Sequence, residues 1–269
     1  MEASKMYDLI SEVKRDNILN MLKTGRRIDG RGFDDYRPIK VEVGVSEKAE
    51  GSALVQIGST RVMAGVKLAL GEPFADMPNS GVLTTNAELI PLASPTFEKG
   101  PPDEDTIELA RVVDRGIRES KCIDLEKLCR VEGEEVWIVF IDLHILDYDG
   151  NLFDASELAA VAALVNTRIP KVEDGRVLYK EKTDEKLPIV DLPVETTFAK
   201  IGDAIVVDPI LDEEQTMDAR LTIAYTKKGD ICAMQKGGDG TFTQDEIFEI
   251  VDRGRKRAEE LRKYISEKV

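Results

Sequence analysis

The chain has 269 residues, 42% hydrophobic and 33% charged, with Lys+Arg 37 against Asp+Glu 52 and a net charge of −15. That length holds one large domain or two ordinary ones around a substantial core, and that composition excludes an intrinsically disordered chain. No apolar run approaches the ~18 residues of a membrane span, the N-terminus lacks an apolar signal core, and 3 cysteines without a Cys-x-x-Cys pair support neither a disulfide framework nor a zinc site. A soluble, cytoplasmic protein is expected, whose surplus of acid repels nucleic acid unless a partner supplies positive charge.

Residues 1–30 read as a helical arm, with Met6, Leu9, Ile10 and Val13 at helical spacing, a restart at Asp16 and a stop at Gly25. Residues 31–170 form a first unit. "IKVEVGVS", "SALVQIG", "TRVMAGVKLAL" and "GVLTTNAELI" are short, Val/Leu/Thr-rich and bounded by Gly or Pro, as strands are. "DEDTIELARVVDRGIRESK" is a helix with Leu109, Val113, Gly116 and Ile117 on one face and Arg111, Arg115 and Arg118 on the other. "EVWIVFIDLHILDYDG" is apolar on both faces, so a central strand covered on both sides is expected. A further helix, "DASELAAVAALVNTRI", is predicted to be capped by Asp154, with Glu157 three residues on, and ended by Pro170.

Residues 171–192, polar and punctuated by prolines, read as a linker with one edge strand. From 193 to 269 the pattern repeats: "VETTFAKIG", "AIVVDP", "ARLTIAYT" and "DICAMQKGG" as strands, then a helix with Ile247, Ile250, Val251 and Leu261 on one side. Strands grouped ahead of helices argue an α+β fold of two related sheet-and-helix units with an N-terminal arm.

Three features carry chemistry. "LDEEQTMDARLTIAY" sets Asp212, Glu213, Glu214 and Asp218 ahead of a strand, which invites a hard-cation site. Adjacent acids in a turn diverge, and a solvated acidic loop is the plainer expectation. The Arg111, Arg115, Arg118 stripe is either a basic contact face or a solvent face neutralised by Glu108 to Arg111, Asp114 to Arg118 and Arg115 to Glu119 pairs. His144, the 1 histidine, falls in the central strand and is expected to be a packing residue.

"GRRIDGRGFDDYRPI", with Arg-x-Asp-Gly-Arg just ahead of the first strand, resembles the start of the RNase PH family. "EGSALVQIGSTRVMAGV", "DYDGNLFDASELAAVAAL" and "VDPILDEEQTMDARLTIA" continue the resemblance in family order over about residues 25 to 260. The phrase "EEQTMDARLTIA" and the arm are closest to the non-catalytic branch of the family found in the archaeal exosome. The resemblance implies the RNase PH fold of two βαβα-type units. It also implies heterodimers with a catalytic RNase PH-like partner, three copies of which form a hexameric ring under RNA-binding cap subunits. Single-stranded RNA is then reached through the complex, and its 3′ end is cut by phosphorolysis, phosphate attacking the terminal phosphodiester.

Active family members hold that phosphate at a helix N-terminus with a Gly-(Ser/Thr)-Arg sequence; here Leu152 and Phe153 stand in those places. Where active members carry an arginine pair, this chain has Asp103, Glu104 and Asp105; where they carry two aspartates, it has Glu214 and Arg220. A guanidinium neither accepts a proton near neutral pH nor binds Mg²⁺, so Arg220 is expected to pair with Glu214 or Asp218. Asp105, Leu152, Phe153, Glu214 and Arg220 thus read as lost catalytic or phosphate positions, with no cofactor or metal expected. Arg111, Arg115 and Arg118 read as RNA contacts beside the partner's site. The competing readings are an independently active phosphate-dependent 3′ exoribonuclease and a scaffold that never touches RNA.

Overall fold

The structure, a computed structural model, describes residues 14–173 and 175–267. Residues 14–23 form a helix, α1, whose Ile18 and Leu22 pack on Ala199, Ile201 and Val206. The arm is therefore docked on the second half of the chain. Asp16 lies inside this helix and not at a restart, and the backbone amide of Gly25 donates to Leu22 as the helix ends. Met6, Leu9, Ile10 and Val13 lie outside the described residues.

Strands β1 (Ile39–Val43), β2 (Gly51–Ile57), β3 (Thr60–Gly71), β4 (Val82–Leu89), β5 (Cys129–Val131) and β6 (Glu135–Asp147) build a sheet of order β1-β2-β3-β6-β4, with β5 paired to the start of β6. All pairings are antiparallel except β4 with β6. Strand β6 lies inside the sheet as expected, but its burial alternates: Val139, Ile141, Leu143 and Ile145 are fully buried, while Ile138, Phe140 and His144 are half-exposed. The second face of β6 is thus not covered by this chain. His144 sits there 3.2 Å from the Glu88 carboxylate and is not a core packing residue.

The covered face receives α2 (Glu104–Glu119) and α3 (Leu152–Val165). Asp103 caps α2, accepting from the Thr106 amide at 2.9 Å. That cap holds the Asp103 carboxyl below its usual range, chiefly through Thr106. Helix α3 is buried nearly all round, which explains its Ala- and Leu-rich sequence. Gly116 lets α2 approach α3, since a Cβ there would lie 2.7 Å from Glu157 Oε1. Helix α3 ends at Val165, ahead of Pro170, which falls inside β7 (Arg168–Glu173). Strand β7 pairs with β8 (Arg176–Lys186), so the stretch expected as a linker with one edge strand holds most of a two-stranded hairpin.

The second sheet has the order β10-β9-β11-β12, from β9 (Val194–Ile201), β10 (Ala204–Val207), β11 (Ala219–Tyr225) and β12 (Ile231–Gly237). Its Thr197 and Thr222 face α3, while Thr196 and Tyr225 face α5 (Gln244–Ser266), as the period of two requires. The layers run sheet, α2 with α3, sheet, α5. Between β10 and β11 the one-turn α4 (Leu211–Glu214) carries the acidic stretch. No helix among the described residues is long and apolar enough to cross a membrane.

The Arg-x-Asp-Gly-Arg segment ties the halves together. Arg27, with no exposed surface, pairs with buried Glu213 at 2.5 Å and donates to the carbonyls of Val207 and Asp208. Arg31 and Arg37 both reach Asp208, at 2.8 and 2.7 Å, and Arg37 also donates to the Gly150 carbonyl just before α3. Those arginines hold Asp208 below the usual carboxylate range although its burial pushes the other way. Asp208 and Asn151 both have left-handed backbone, φ 47 and 56, and Asn151 Nδ2 donates to Asp208 Oδ1 at 2.8 Å. Asx residues tolerate that conformation best, and here the two strained turns brace each other.

Candidate functional site

Strand β6 delivers the chain to α3 through Tyr148, Asp149 and Gly150, and the free N–H groups of a helix start would suit an anion. The N-cap is Asn151, whose side chain accepts from the Asp154 amide at 3.5 Å; it is not Asp154, as the sequence suggested. Asn and Asp cap comparably well, and the left-handed Asn151 moves the helix start three residues earlier. Asp154 instead points into the joint between the halves, accepting from Tyr36, Asn151 and Thr197. Burial raises its carboxyl to about 6 against those hydrogen bonds.

The front of α3 is already occupied by the chain's own Glu214 carboxyl. Its Oε1 accepts the Asn151 amide at 2.8 Å and its Oε2 accepts the Tyr148 hydroxyl at 2.7 Å. Burial raises the Glu214 carboxyl, opposed by those two donors and by Arg220 and Arg37. Burial and the nearby Glu214 push Tyr148 well up, so its hydroxyl stays a donor. The Tyr148 ring is held by a stacked Phe97, centroids 5.2 Å apart.

Arg220 closes the other side. Its Nη2 meets Glu108 Oε1 at 2.7 Å and its guanidinium lies 4.1 Å from the centre of the Phe153 ring. The partner is therefore Glu108 on α2, and neither Glu214 nor Asp218 as expected; Asp218 is taken by Arg15 at 2.8 Å. Asp105, Leu152, Phe153, Glu214 and Arg220 come together, 115 residues apart in sequence, around one cavity of about 210 Å³. Leu89, Phe97 and Met217 complete an apolar floor.

The four carboxylates of the acidic stretch go four ways. Asp212 meets Lys14 at 2.7 Å, Glu213 meets Arg27, Glu214 caps α3 and Asp218 meets Arg15. The divergence was legible, but the solvated loop was not what forms: Glu213 is wholly buried. Among the described residues no group of three or more potential metal ligands converges.

On the α2 face, the pairs Glu108 to Arg111 and Arg115 to Glu119 do not form. Asp114 and Arg118 do pair, at 2.8 Å, and Arg118 also donates to the Leu83 carbonyl. Arg115 donates to Gln235 Oε1 at 2.7 Å, and Gln235 Nε2 donates to Glu108 Oε1 at 2.8 Å. Arg111 is exposed, with no side-chain ion pair among the described residues. The three arginines line a cleft of about 340 Å³ with Leu83, Thr84 and Thr85. Sequence reasoning gave Glu108 the wrong partner and missed Gln235, because nothing local shows that β12 passes beside α2.

Two sheets enclosing a helix pair, with the second sheet covered by α5, define a protein of the RNase PH class. Residues 35–170 match the 3′ exoribonuclease family, domain 1, and residues 191–257 match its domain 2, and the chain belongs to that family. It is 58% identical over 266 residues to the exosome complex component Rrp42 of Pyrococcus abyssi, covering 97% of each chain. Its identity to the exosome complex component Rrp42 of Methanopyrus kandleri is 52% over 260 residues, covering 96% of this chain and 97% of that one. A chain in the structure of the Archaeoglobus fulgidus exosome with RNA bound to the active site superposes with a TM-score of 0.88 at 50% identity, covering 95% of this chain and 98% of that chain. A chain of an archaeal exosome core gives a TM-score of 0.87 at 46% identity, covering 97% and 99%.

Proposed function

We propose that this chain is a non-catalytic RNase PH-like subunit of an archaeal exosome, a cytoplasmic complex that degrades RNA from its 3′ end by phosphorolysis. It pairs with a catalytic RNase PH-like partner, shapes that partner's active site, and joins it in a hexameric ring under RNA-binding caps. The observation that carries the reading is Glu214 at the start of α3. An incoming phosphate would have to displace a carboxylate held by Asn151 and Tyr148, while Arg220 is committed to Glu108 and Phe153. Phosphate and carboxylate at one helix end repel each other, so the chain has no seat for the nucleophile. Asp105, Leu152, Phe153, Glu214 and Arg220 are then former catalytic or phosphate positions, and Arg111, Arg115 and Arg118 contact the RNA backbone beside the partner's site. The net charge of −15 suits a more basic partner that supplies the positive potential for RNA.

The experiment is release of nucleoside diphosphate from single-stranded RNA and phosphate. The purified chain releases none, and the mixture with the catalytic partner does. Release by the chain alone would make it an independent exoribonuclease and end this reading.

A further inference from the structure

The arginine that stands in the former acid position touches the same residue that ought to neutralise the basic face. Glu108 lies three residues before Arg111 on α2, a spacing at which an acid and a base pair across the helix surface. Its Oε1 is instead taken by Arg220 Nη2 at 2.7 Å and Gln235 Nε2 at 2.8 Å. Gln235 Oε1 in turn accepts from Arg115 at 2.7 Å. The second sheet supplies the reach. Arg220 on β11 stands opposite Gly237 on β12, and a Cβ at Gly237 would lie 2.6 Å from Arg220 Nη2. The missing side chain leaves the guanidinium its path to α2. Two residues earlier on the same face, Gln235 meets Glu108 and Arg115 with opposite ends of one amide.

We infer that Arg220 is a positioning residue for RNA contact: by holding Glu108 away from Arg111, with Gln235 bridging to Arg115, it keeps the α2 cleft open as a cationic seat for single-stranded RNA phosphates. This rests on the reading of the α2 face as an RNA contact. The residue change that removes an acid from one site thereby charges the other. Arg111 is left without an acid, and the hydrogen-bond partner of Arg115 at the cleft is a neutral amide and not the Glu108 carboxylate. Arg118, paired with Asp114, contributes less.

The test uses the ring reconstituted with its catalytic partner, binding a labelled oligoadenylate without phosphate over a series of salt concentrations. Arg220→Met removes the charged competitor and leaves Glu108 held only by the Gln235 amide, so the carboxylate can turn to Arg111. RNA binding is expected to weaken by about 2- to 5-fold, the size of one partly exposed ion pair, with a salt slope shallower by roughly 0.7 for each RNA phosphate that is no longer neutralised. Arg220→Met combined with Glu108→Gln is expected to restore both quantities, because no acid is left to turn. If Arg220→Met weakens binding and the double variant does not recover it, the effect is structural and the inference fails. If Arg111→Glu weakens binding but Arg220→Met leaves it unchanged, the inference fails while the RNA face stands. Should Arg111→Glu itself have no effect, the RNA face is wrong and the inference falls with it.

Discussion

Helix α3 has buried carboxyl groups at two levels, and they are treated oppositely. At its front, Glu214 and Asp154 have donors on their oxygens: Tyr148, the Asn151 amide, Tyr36 and Thr197. One turn further along, Glu157 of α3 and Glu195 of β9 are 0% and 1% exposed, and among the described residues none of their four carboxyl oxygens has a hydrogen-bond partner. Asp114, Asp154 and Cys232 face this inner pair along with Arg115 and Arg220, so acids crowd it from three elements. Hydrogen bonds hold the front, whereas burial and neighbouring acids favour the protonated form in the interior. Under the proposed function, the filled front is the part that an incoming phosphate would need.

The largest effect is expected where the front is anchored. Arg27→Met leaves Glu213 buried without its cation, next to the turn that presents Glu214. Breaking a buried pair from one side costs about 3–5 kcal/mol, read as a drop in the denaturant midpoint. A loss under ~1 kcal/mol would show that Glu213 escapes to solvent and that the front is not rigid.

The inner pair answers to pH. Burial pushes both Glu157 and Glu195 well above the ordinary carboxyl range, and nearby acids, Glu195 for Glu157 and Asp154 for Glu195, push further. A folded value raised above the unfolded one means that the native state binds more protons. That contribution to stability is fully present below the unfolded glutamate value of about 4.3 and is lost as pH rises through the folded values. Glu157→Gln with Glu195→Gln removes the titration, so the loss of stability expected in the parent as pH rises above the unfolded glutamate value should be smaller in the variant, read as denaturation midpoints over a pH series. Parallel profiles would mean that unseen partners satisfy both groups.

What the sequence showed of this contrast follows from distance along the chain. Strands β1 to β4 and helices α2 and α5 were legible because apolar periodicity is local, and the divergence of Asp212, Glu213 and Glu214 follows from adjacency alone. Their partners and that of Asp218 were not legible: Lys14, Arg27, Tyr148 and Arg15 lie 66 to 203 residues away along the chain. The α3 cap was misplaced because a pattern of residue types cannot show that Asn151 takes φ 56. The polar hairpin β7–β8 hides in a segment without alternation, and the apolar run of β6 concealed a face that this chain leaves half-exposed. The family resemblance singled out Asp105, Phe153, Glu214 and Arg220, and only the fold shows that Glu108 lies against Arg220.

Tyr148→Phe makes the smallest and most specific cut in the comparison. The ring keeps its stack on Phe97, so packing is unchanged, and Glu214 loses one of its two donors. The expected loss is about 1.5–3 kcal/mol near neutral pH, the range for a hydrogen bond to a charged group and below that of Arg27→Met. The removed donor favoured the ionised form, so the Glu214 carboxyl rises further and the loss shrinks on acidification as the group becomes neutral. A loss independent of pH would place the proton on Glu214 throughout. The front of α3 would then be uncharged, and the proposed exclusion of phosphate would have to rest on Asp105 and Glu108, which line the same cavity.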